Sequence, residues 1–280
     1  MKRRTFISLL AVLGAAGVVQ LSGCSASNST AADASSAAGP APVDLLEAIQ
    51  TRGTLVVATE GAWSPWTYHD ESDKLVGYDV EVATALAEKL GVKAEFVEGA
   101  WDGLFAGLDS GRYDIVCNGV ELTEERALTY DFTVPYGYIH TALAVRSDNT
   151  DITTFEDLAG KTTANSIAST YMTLAESYGA EVLGIDTLDE TIQMLVAGRV
   201  DATLNADVSF YDYLNVHPEA DFKIVALTDE ASQVCIPVRK GEETATLLAA
   251  LNEAIEELRA DGTLAEISQR YFGTDISSES

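Results

Sequence analysis

The stretch that decides the fold is Tyr113-Asp114-Ile115-Val116-Cys117-Asn118-Gly119-Val120-Glu121-Leu122-Thr123-Glu124-Glu125-Arg126. Its first five residues are mostly apolar and lie between Gly111 and Gly119, which is typical of a buried parallel strand. Thr123 has the chemistry of a helix N-cap, and the two glutamates after it suit the positive end of a helix dipole. The stretch therefore predicts a strand end, a polar turn and the start of a helix.

One arginine, Arg126, falls in the first turn of that predicted helix. A guanidinium binds a carboxylate through two parallel hydrogen bonds, and backbone donors at such a turn also hold an anion. Open α/β sheets bind ligands beyond the carboxyl ends of their strands, which is where this turn lies. The turn is therefore a candidate carboxylate receptor. The alternative is a solvated helix arginine that binds nothing.

The N-terminus has the pattern of an export signal. Lys2-Arg3-Arg4 precedes an apolar run over residues 6–19, and Leu21-Ser22-Gly23-Cys24 follows that run. The run is shorter than the roughly 20 apolar residues of a membrane span, and its end resembles the lipobox of bacterial lipoproteins. We expect a signal peptide over residues 1–23 and lipidation of Cys24; an incidental cysteine is the alternative. The paired arginines leave Sec and twin-arginine export open.

Residues 24–42 are rich in Ser, Ala, Gly and Pro and show no apolar periodicity. Such a segment cannot bury enough surface to fold, so it predicts a flexible tether between the lipid and a folded body. We therefore expect an extracytoplasmic protein that is lipid-anchored to the cell membrane.

The charge balance excludes one class of partner. The chain has 17 Lys and Arg against 44 Asp and Glu, and removal of residues 1–23 takes away three basic residues and no acid, which leaves a charge near −30. Phosphate backbones attract the opposite sign, so nucleic acid is not expected as a partner. The roughly 240 residues beyond the tether suffice for one large core or two small ones.

Two cysteines, Cys117 and Cys235, remain in the body. Export makes a disulfide chemically possible, but both lie in apolar strand-like stretches, which favours buried free thiols. The three histidines are isolated from one another, and no Cys/His spacing indicates a metal site. We therefore expect no metal and no other cofactor.

Strand and helix patterns alternate along the body. We expect a strand over residues 54–59, a helix over residues 80–90 capped by Asp79, a strand over residues 92–97 and a helix over residues 101–110. This alternation predicts a mostly parallel sheet with right-handed crossovers.

A short pattern then occurs twice. Leu108-Asp109-Ser110-Gly111-Arg112-Tyr113-Asp114 has a counterpart in Leu195-Val196-Ala197-Gly198-Arg199-Val200-Asp201, and the strand after each ends in an asparagine, Asn118 or Asn205. Each pattern reads as a helix end, a glycine stop and a short strand. The repetition indicates two similar α/β lobes that present polar turns to a shared cleft.

A series of further blocks completes the picture: Gly53-Thr54-Leu55, Trp63-Ser64-Pro65-Trp66, Leu75-Val76-Gly77-Tyr78-Asp79, Trp101-Asp102-Gly103-Leu104, Asp131-Phe132, Phe155-Glu156-Asp157-Leu158-Ala159-Gly160-Lys161 and Ala260-Asp261-Gly262-Thr263-Leu264. With residues 122–126, these blocks resemble the extracytoplasmic solute-binding proteins of the polar amino-acid ABC-transporter family. The resemblance implies a two-lobed, periplasmic-binding-protein-like (type II) α/β fold with two strands crossing between the lobes. Residues 43–146 and 231–274 would form the first lobe, and residues 147–230 the second.

The resemblance also implies roles for single residues. Arg126 would bind the α-carboxylate of an amino acid, with help from backbone donors near Asn118, Gly119 and Glu121. Two residues at a helix start in the second lobe, Ser169 and Thr170, would hold the same carboxylate from the other side.

The family's aromatic cleft positions fall on three tryptophans, Trp63, Trp66 and Trp101. Aromatic side chains are commonly buried for their area alone, so core packing is the alternative for each of them. A tryptophan face also favours an ammonium group.

Two departures from the family's pattern concern the ligand's ammonium group. Glu121 stands where the family often has Ser or Thr, and the acid expected directly after Asn205 is instead Asp207, one place later. A buried ammonium needs a charged partner or several acceptors. We expect Glu121 to supply that carboxylate, with Asp207 and Glu60 as further candidates; an exposed turn acid is the alternative for Glu121.

The implied function is capture of a polar L-amino acid by lobe closure and its delivery to the membrane permease of an ABC importer. The chain has no Gly-x-x-x-x-Gly-Lys-Ser/Thr motif, so a separate ATPase would supply the energy, and a monomer is expected. Some relatives with an aromatic cleft carry cystine, so cystine ranks first among ligands, although the identity of the amino acid stays open.

The alternative is an enzyme on the same fold, resembling the cyclohexadienyl dehydratases, in which Glu121 or Asp207 would act as a general acid or base. No nucleophile–base pair is apparent, and a carboxylate clamp suffices for capture. A sensor ectodomain or adhesin would give Arg126 no use.

Overall fold

The computed structural model of the protein describes residues 43–279. The signal peptide, the tether and the lipidation of Cys24 that the sequence predicts lie outside the described residues. Within those residues, no helix combines the length and the apolar character that a membrane crossing requires.

The helices, in chain order, are α1 (Leu45–Arg52), α2 (Tyr78–Lys89), α3 (Trp101–Asp109), α4 (Glu124–Thr129), α5 (Thr170–Ser177), α6 (Leu188–Val196), α7 (Asp207–Val216), α8 (Ala245–Ala260) and α9 (Thr263–Phe272). The strands are β1 (Thr54–Thr59), β2 (Ala62–Trp63), β3 (Thr67–His69), β4 (Leu75–Val76), β5 (Lys93–Glu98), β6 (Ile115–Val116), β7 (Tyr130–Phe132), β8 (Gly137–Ile139), β9 (Thr141–Arg146), β10 (Thr162–Asn165), β11 (Glu181–Gly184), β12 (Ala202–Ala206), β13 (Phe222–Leu227), β14 (Ser232–Val234) and β15 (Pro237–Arg239).

The first lobe is built on a parallel sheet in the order β5-β1-β6. Helices α2 and α3 pack against it, and α8 and α9 return from the C-terminal part of the chain to pack against α2. Because β1 and β6 are parallel neighbours, the polar loops that follow them lie together at the carboxyl edge of the sheet.

The second lobe is built on a five-stranded sheet in the order β11-β10-β12-β9-β13. Strands β11, β10 and β12 are parallel, whereas β9 runs antiparallel to both β12 and β13. The sequence predicts that residues 141–146 belong to the first lobe, and this prediction is wrong: the backbone of β9 pairs with Phe222–Leu227, so the second lobe begins with β9.

The antiparallel pair of β8 and β14 leads to and from the second lobe, whereas the pair of β7 and β15 lies in the first lobe beside β6 and α3. The chain enters the second lobe between β8 and β9 at His140 and returns between β13 and β14. His140 Nδ1 lies 2.7 Å from the carbonyl oxygen of Thr228, so the two crossings are bonded to each other. The two-lobed α/β architecture with two crossing strands that the sequence predicts is confirmed.

The helix start at α4 follows the local prediction, because the Thr123 hydroxyl accepts a hydrogen bond of 3.1 Å from the amide of Arg126. The prediction that Asp79 caps α2 is wrong. Helix α2 begins at Tyr78, and Asp79 is fully buried.

The buried carboxylate of Asp79 accepts two hydrogen bonds, one of 2.5 Å from the amide of Gly119 and one of 2.7 Å from the Tyr136 hydroxyl. Burial raises the pKa of Asp79 to about 7, and these two hydrogen bonds oppose the shift. Asp79 therefore serves the polar turn after β6 rather than the end of its own helix.

Cys117 and Cys235 are both buried and unbonded, as the apolar surroundings predict. The Cys117 thiol lies 3.7 Å from the Tyr136 hydroxyl, within the same buried group as Asp79. The disulfide that export would permit is therefore absent between these two residues.

Asp79→Asn is expected to flatten the pH dependence of stability. The pKa of Asp79 rises from about 4 in the unfolded chain to about 7 in the folded one, so the native state binds more protons between these values. The free energy of unfolding therefore falls as pH rises through this window, by up to ~1.4 kcal/mol per pH unit from this group. Asparagine does not titrate, so the variant loses this component.

Urea unfolding at several pH values between about 4 and 7 measures the effect. The control is Glu88→Gln, which neutralises an exposed acid on the same helix. A pH slope in Asp79→Asn equal to that of the wild type and of the control would show that Asp79 is ionised throughout.

Candidate functional site

A cavity lies between the lobes, at the carboxyl ends of strands from both sheets. Its outline, counting space that is open to solvent, is about 470 Å³. The residues that line it come from loops and helix starts on both sides: Glu60, Ala62, Trp63, Trp101, Gly119, Glu121, Arg126, Ser166, Ser169, Thr170, Tyr171, Asp186, Leu188 and Asn205.

Arg126 is held on the first-lobe side of this cavity. Its Nη1 donates a hydrogen bond of 2.9 Å to the carbonyl oxygen of Glu121, and its Nη2 lies 3.4 Å from the carbonyl oxygen of Ala168 in the second lobe. The guanidinium also lies 5.3 Å from the ring centre of Trp101 and 5.5 Å from that of Phe105.

Burial lowers the pKa of Arg126 from its ordinary value, and the charge of Glu121 opposes that shift. A guanidinium nevertheless keeps its proton in proteins. Two carbonyl bonds and two rings fix the orientation of the side chain without neutralising it, which leaves the charge available to an anion in the cavity.

Glu121 is a buried acid at the junction of the lobes, 6% exposed. Its Oε1 accepts a hydrogen bond of 2.6 Å from the Thr170 hydroxyl of the second lobe. Its backbone pairs with Val234, which places the residue between the turn after β6 and the strand that leads back from the second lobe. Glu121 is therefore not an exposed turn acid.

The second-lobe side of the cavity includes the N-terminus of α5. The Ser169 hydroxyl accepts a hydrogen bond of 3.1 Å from the amide of Met172 and so caps the helix. Ala168, which precedes it, has a positive φ of 60°. The Ser169 hydroxyl is already used by its own helix, and this side of the cavity presents the positive end of the α5 dipole.

Asn118 does not line the cavity but fixes Glu60, which does. The side-chain oxygen of Asn118, Oδ1, accepts a hydrogen bond of 2.8 Å from the backbone amide of Glu60 and one of 3.0 Å from the Thr59 hydroxyl. The side-chain NH₂ group of Asn118 must therefore face the other way. That group donates a hydrogen bond of 2.7 Å to Glu60 Oε2.

Burial raises the pKa of Glu60 to about 7, and the hydrogen bond from Asn118 opposes the shift. The Glu60 carboxyl group therefore accepts a hydrogen bond from the Asn118 side chain and is partly protonated near neutral pH. It becomes fully ionised when a cation lies beside it.

Of the three tryptophans, two line the cavity and one does not. Trp63 is 9% exposed, and its Nε1 has no hydrogen-bond partner among residues 43–279. Trp101 lies over the Arg126 guanidinium. Trp66, expected from the sequence as a cleft position, is instead fully buried beneath Trp63, with ring centres 5.2 Å apart.

Asn205 lines the cavity, but Asp207 does not. Asp207 begins α7, where its carboxylate lies 3.3 Å from the amide of His140 and its own amide donates to the His140 carbonyl oxygen at 2.9 Å. Burial raises the pKa of Asp207 from its ordinary value. Among the three acids proposed to meet an ammonium group, the structure brings Glu121 and Glu60 into the cavity and leaves Asp207 at the crossing point of the lobes.

Sequence reasoning missed two residues of the cavity that carry polar chemistry. Tyr171 is 6% exposed, and its hydroxyl has no hydrogen-bond partner within the described part of the chain. Asp186 is exposed at the mouth, in the loop between β11 and α6. Tyr171 directly follows two predicted site residues at a helix start, which is the signal that could have identified it.

Gly119→Ala is expected to displace the Trp63 ring. Gly119 has a φ of +56°, and an added Cβ would lie 2.6 Å from a ring atom of Trp63. The positive φ alone costs a non-glycine residue about 1–2 kcal/mol, and overpacking adds about 1–3 kcal/mol. Denaturant unfolding measures the cost, and a change in tryptophan fluorescence reports the movement of the ring.

The matched control is Gly91→Ala, because Gly91 has a φ of +75° and nothing within 4 Å of an added Cβ. Its cost isolates the backbone strain. Equal losses of stability in the two variants, with unchanged fluorescence in both, would contradict the contact between Gly119 and Trp63.

Comparison with known proteins identifies relatives along almost the whole chain. Residues 55–274 match the model of the bacterial extracellular solute-binding proteins, family 3. The L-cystine-binding protein TcyA of Bacillus subtilis is 38% identical, over 96% of this chain and 98% of its own.

Two experimental structures show the same fold. An ancestral arginine-binding protein bound to glutamine is 39% identical, covers 79% of this chain and 99% of its own, and superposes with a TM-score of 0.75. The L-cystine solute receptor of Neisseria gonorrhoeae in its unliganded open conformation is 42% identical, covers 84% of this chain and 99% of its own, and has a TM-score of 0.58. By these scores the chain is more similar in shape to the bound protein than to the open one. The match to the family model and these identities together mean that the chain belongs to the bacterial extracellular solute-binding proteins of family 3.

Proposed function

We propose that this protein is the substrate-binding lipoprotein of an amino-acid ABC importer, which captures a polar L-amino acid between its lobes, with cystine ranked first. The observation that carries the proposal is the meeting of one guanidinium and one carboxylate of the first lobe with a hydroxyl and a helix start of the second. Arg126, Glu121 and Thr170 all line one cavity. A zwitterion requires this pairing of opposite charges.

The α-carboxylate is assigned to Arg126. Its guanidinium is oriented by the Glu121 and Ala168 carbonyl oxygens, and among residues 43–279 it makes no salt bridge. The N-terminus of α5 contributes partial positive charge from the opposite lobe. Both lobes therefore bind the same group, and this couples ligand binding to closure.

The α-ammonium is assigned to Glu121. This carboxylate is buried, lines the cavity and has one hydroxyl partner, Thr170, across the cleft. Its second oxygen and the charge remain for a ligand cation. Asp207, the competing candidate, accepts from the His140 backbone and does not line the cavity.

The ligand side chain would lie among Trp63, Trp101, Tyr171, Glu60 and Asp186. Two rings supply apolar area, the Trp63 N–H and the Tyr171 hydroxyl are free to bond, and the two acids favour a cationic or strongly donating group. Cystine supplies such a donating group, because its second half, beyond an apolar disulfide, carries an ammonium group together with a carboxylate. Two of the relatives described above are named for L-cystine, which supports the ranking.

Closure would then signal occupancy to the membrane permease. The ligand is held from both sides, so it stabilises the closed arrangement selectively. A lipid on Cys24 would keep the protein at the membrane surface through the tether over residues 24–42, and one monomer would serve one permease encounter. The enzyme alternative has no comparable support, because the relatives described above are named as binding proteins or receptors.

A thermal-shift screen of the purified protein with the common L-amino acids and cystine tests the function, because a ligand that binds only the native state raises its melting temperature. Arg126→Ala is expected to abolish the ligand-induced shift while the unliganded protein remains folded. The control is Arg112→Ala, which removes an exposed arginine over Tyr113, away from the cavity, and should retain the full shift. An undiminished shift in Arg126→Ala would remove the carboxylate assignment.

Glu121→Gln separates the candidates for the ammonium group. Loss of the charge is expected to weaken ligand binding by ten- to a hundredfold, since a charge-assisted bond to a buried group is worth about 1.5–3 kcal/mol. Asp207→Asn keeps the shape of a half-buried acid outside the cavity and should change the affinity by less than about threefold. Isothermal titration of both variants with the ligand from the screen decides between them. The reverse order of effects would transfer the ammonium to Asp207.

A further inference from the structure

A second set of contacts joins the lobes outside the ligand cavity. In the first lobe it comprises Ser64 and Trp66, which lie in the turn between β2 and β3, and in the second lobe Ser209 and Asp212 on α7. The Ser64 hydroxyl donates a hydrogen bond of 2.9 Å to Asp212 Oδ2, and Trp66 Nε1 donates one of 3.0 Å to the Ser209 hydroxyl. None of these four residues lines the cavity.

The Trp66 side of this contact is rigid. The indole is fully buried, stacks on Trp63, and has its ring centre 5.7 Å from that of Tyr78 and 4.9 Å from that of Phe272. Its only polar atom, Nε1, points at the other lobe. The packing of the first lobe therefore aims a fixed donor at Ser209, which is itself 1% exposed.

The Ser64–Asp212 bond lies beside it on the next turn of α7. Burial raises the pKa of Asp212, and the hydrogen bond from Ser64 opposes the shift. Both acceptors thus lie on one helix of the second lobe and both donors on one short turn of the first. Separation of the lobes would break both bonds together and expose the four groups to water.

We propose that Ser64, Trp66, Ser209 and Asp212 form an interlobe latch that sets the affinity for every ligand without touching any of them. This inference rests on the proposed function, because it concerns the closure that accompanies ligand capture. The latch bonds belong only to the arrangement in which the lobes meet, so they add to the stability of that arrangement alone.

The physical consequence is a uniform scaling of affinity. The apparent affinity of a ligand that binds the closed form is its intrinsic affinity multiplied by the population of that form. A weaker latch lowers this population by one factor, whatever ligand is bound. A cavity residue behaves differently, because it contacts part of one ligand and changes the ranking among ligands.

Ser209→Ala is the first test. In the closed arrangement the Trp66 N–H would lose its acceptor while remaining buried, whereas in a separated arrangement water satisfies it. We expect about tenfold weaker binding for each ligand that the wild type binds, which corresponds to about 1.4 kcal/mol. The ratio of affinities between any two ligands should stay within about twofold of the wild-type ratio, and dissociation should be faster in stopped-flow measurements.

Asp212→Asn is the second test, and it guards against a folding defect in the first, since asparagine keeps the size of the side chain and weakens the bond from Ser64. It should show the same uniform loss in a smaller amount, about threefold. Asn215→Ala changes an exposed residue on the same helix and should leave every affinity as in the wild type. The melting temperature of each unliganded variant shows that its fold is intact.

The outcomes are distinct. Wild-type affinities in both latch variants, or losses that differ tenfold between ligands, would overturn the latch while leaving the proposed function in place. A wild type that responds to no amino acid would overturn the proposed function and the latch with it.

Discussion

The amide of Gly119 donates a 2.5 Å hydrogen bond to the buried carboxylate of Asp79, and the ligand cavity is assembled around that bond. The bond holds the turn after β6 against α2 and fixes a positive φ at Gly119, where the absence of a Cβ lets Trp63 pack on the backbone. The same turn continues to Glu121, whose carbonyl oxygen orients Arg126. One carboxylate deep in the first lobe thus supports an aromatic wall, an acid and a guanidinium at its surface.

The charges around the cavity do not balance within the protein. Glu60, Glu121 and Asp186 face a single guanidinium, Arg126. Under the proposed function, a bound zwitterion would compensate Arg126 and Glu121 and would leave the other two acids. Glu60 reduces this excess by holding a proton near neutral pH, whereas Asp186 is exposed and is screened by water. Under the proposed function, this surplus of acid would favour ligands that carry a second cationic or donating group and would disfavour acidic amino acids.

The contacts within the cavity and the interlobe contacts outside it would have different roles in ligand recognition. Arg126, Glu121 and Trp63 line the cavity, and under the proposed function they would contact the ligand and select which molecule fits. Trp66 and Ser209 join the same lobes outside the cavity, and under the proposed latch they would affect only how readily the lobes meet. Trp63 stacks directly on Trp66, so the aromatic wall of the cavity packs against a residue of the proposed latch. Such a layered arrangement permits affinity to change without a change of specificity.

Features that depend on neighbours in sequence could be read from the chain: the cap at Thr123, the place of Arg126 at the carboxyl edge of a strand, and the two-lobed plan that the repeated pattern and the family resemblance implied. The cap of α2, the residue where the second lobe begins and the position of Trp66 required tertiary structure. The sequence around Asp79 is typical of a helix cap, but in the fold its buried carboxylate accepts hydrogen bonds from Gly119 and Tyr136 instead. Trp66 has the sequence position of a cleft residue, but in the fold the Trp63 ring covers it. Likewise, only the fold separates Glu121 from Asp207, because burial and the path of the backbone, rather than residue type, decide that Glu121 lines the cavity and Asp207 does not. The sequence by itself determined the types of groups available and their local geometry. The tertiary structure decided which of them face one another, since those contacts join residues far apart in the chain.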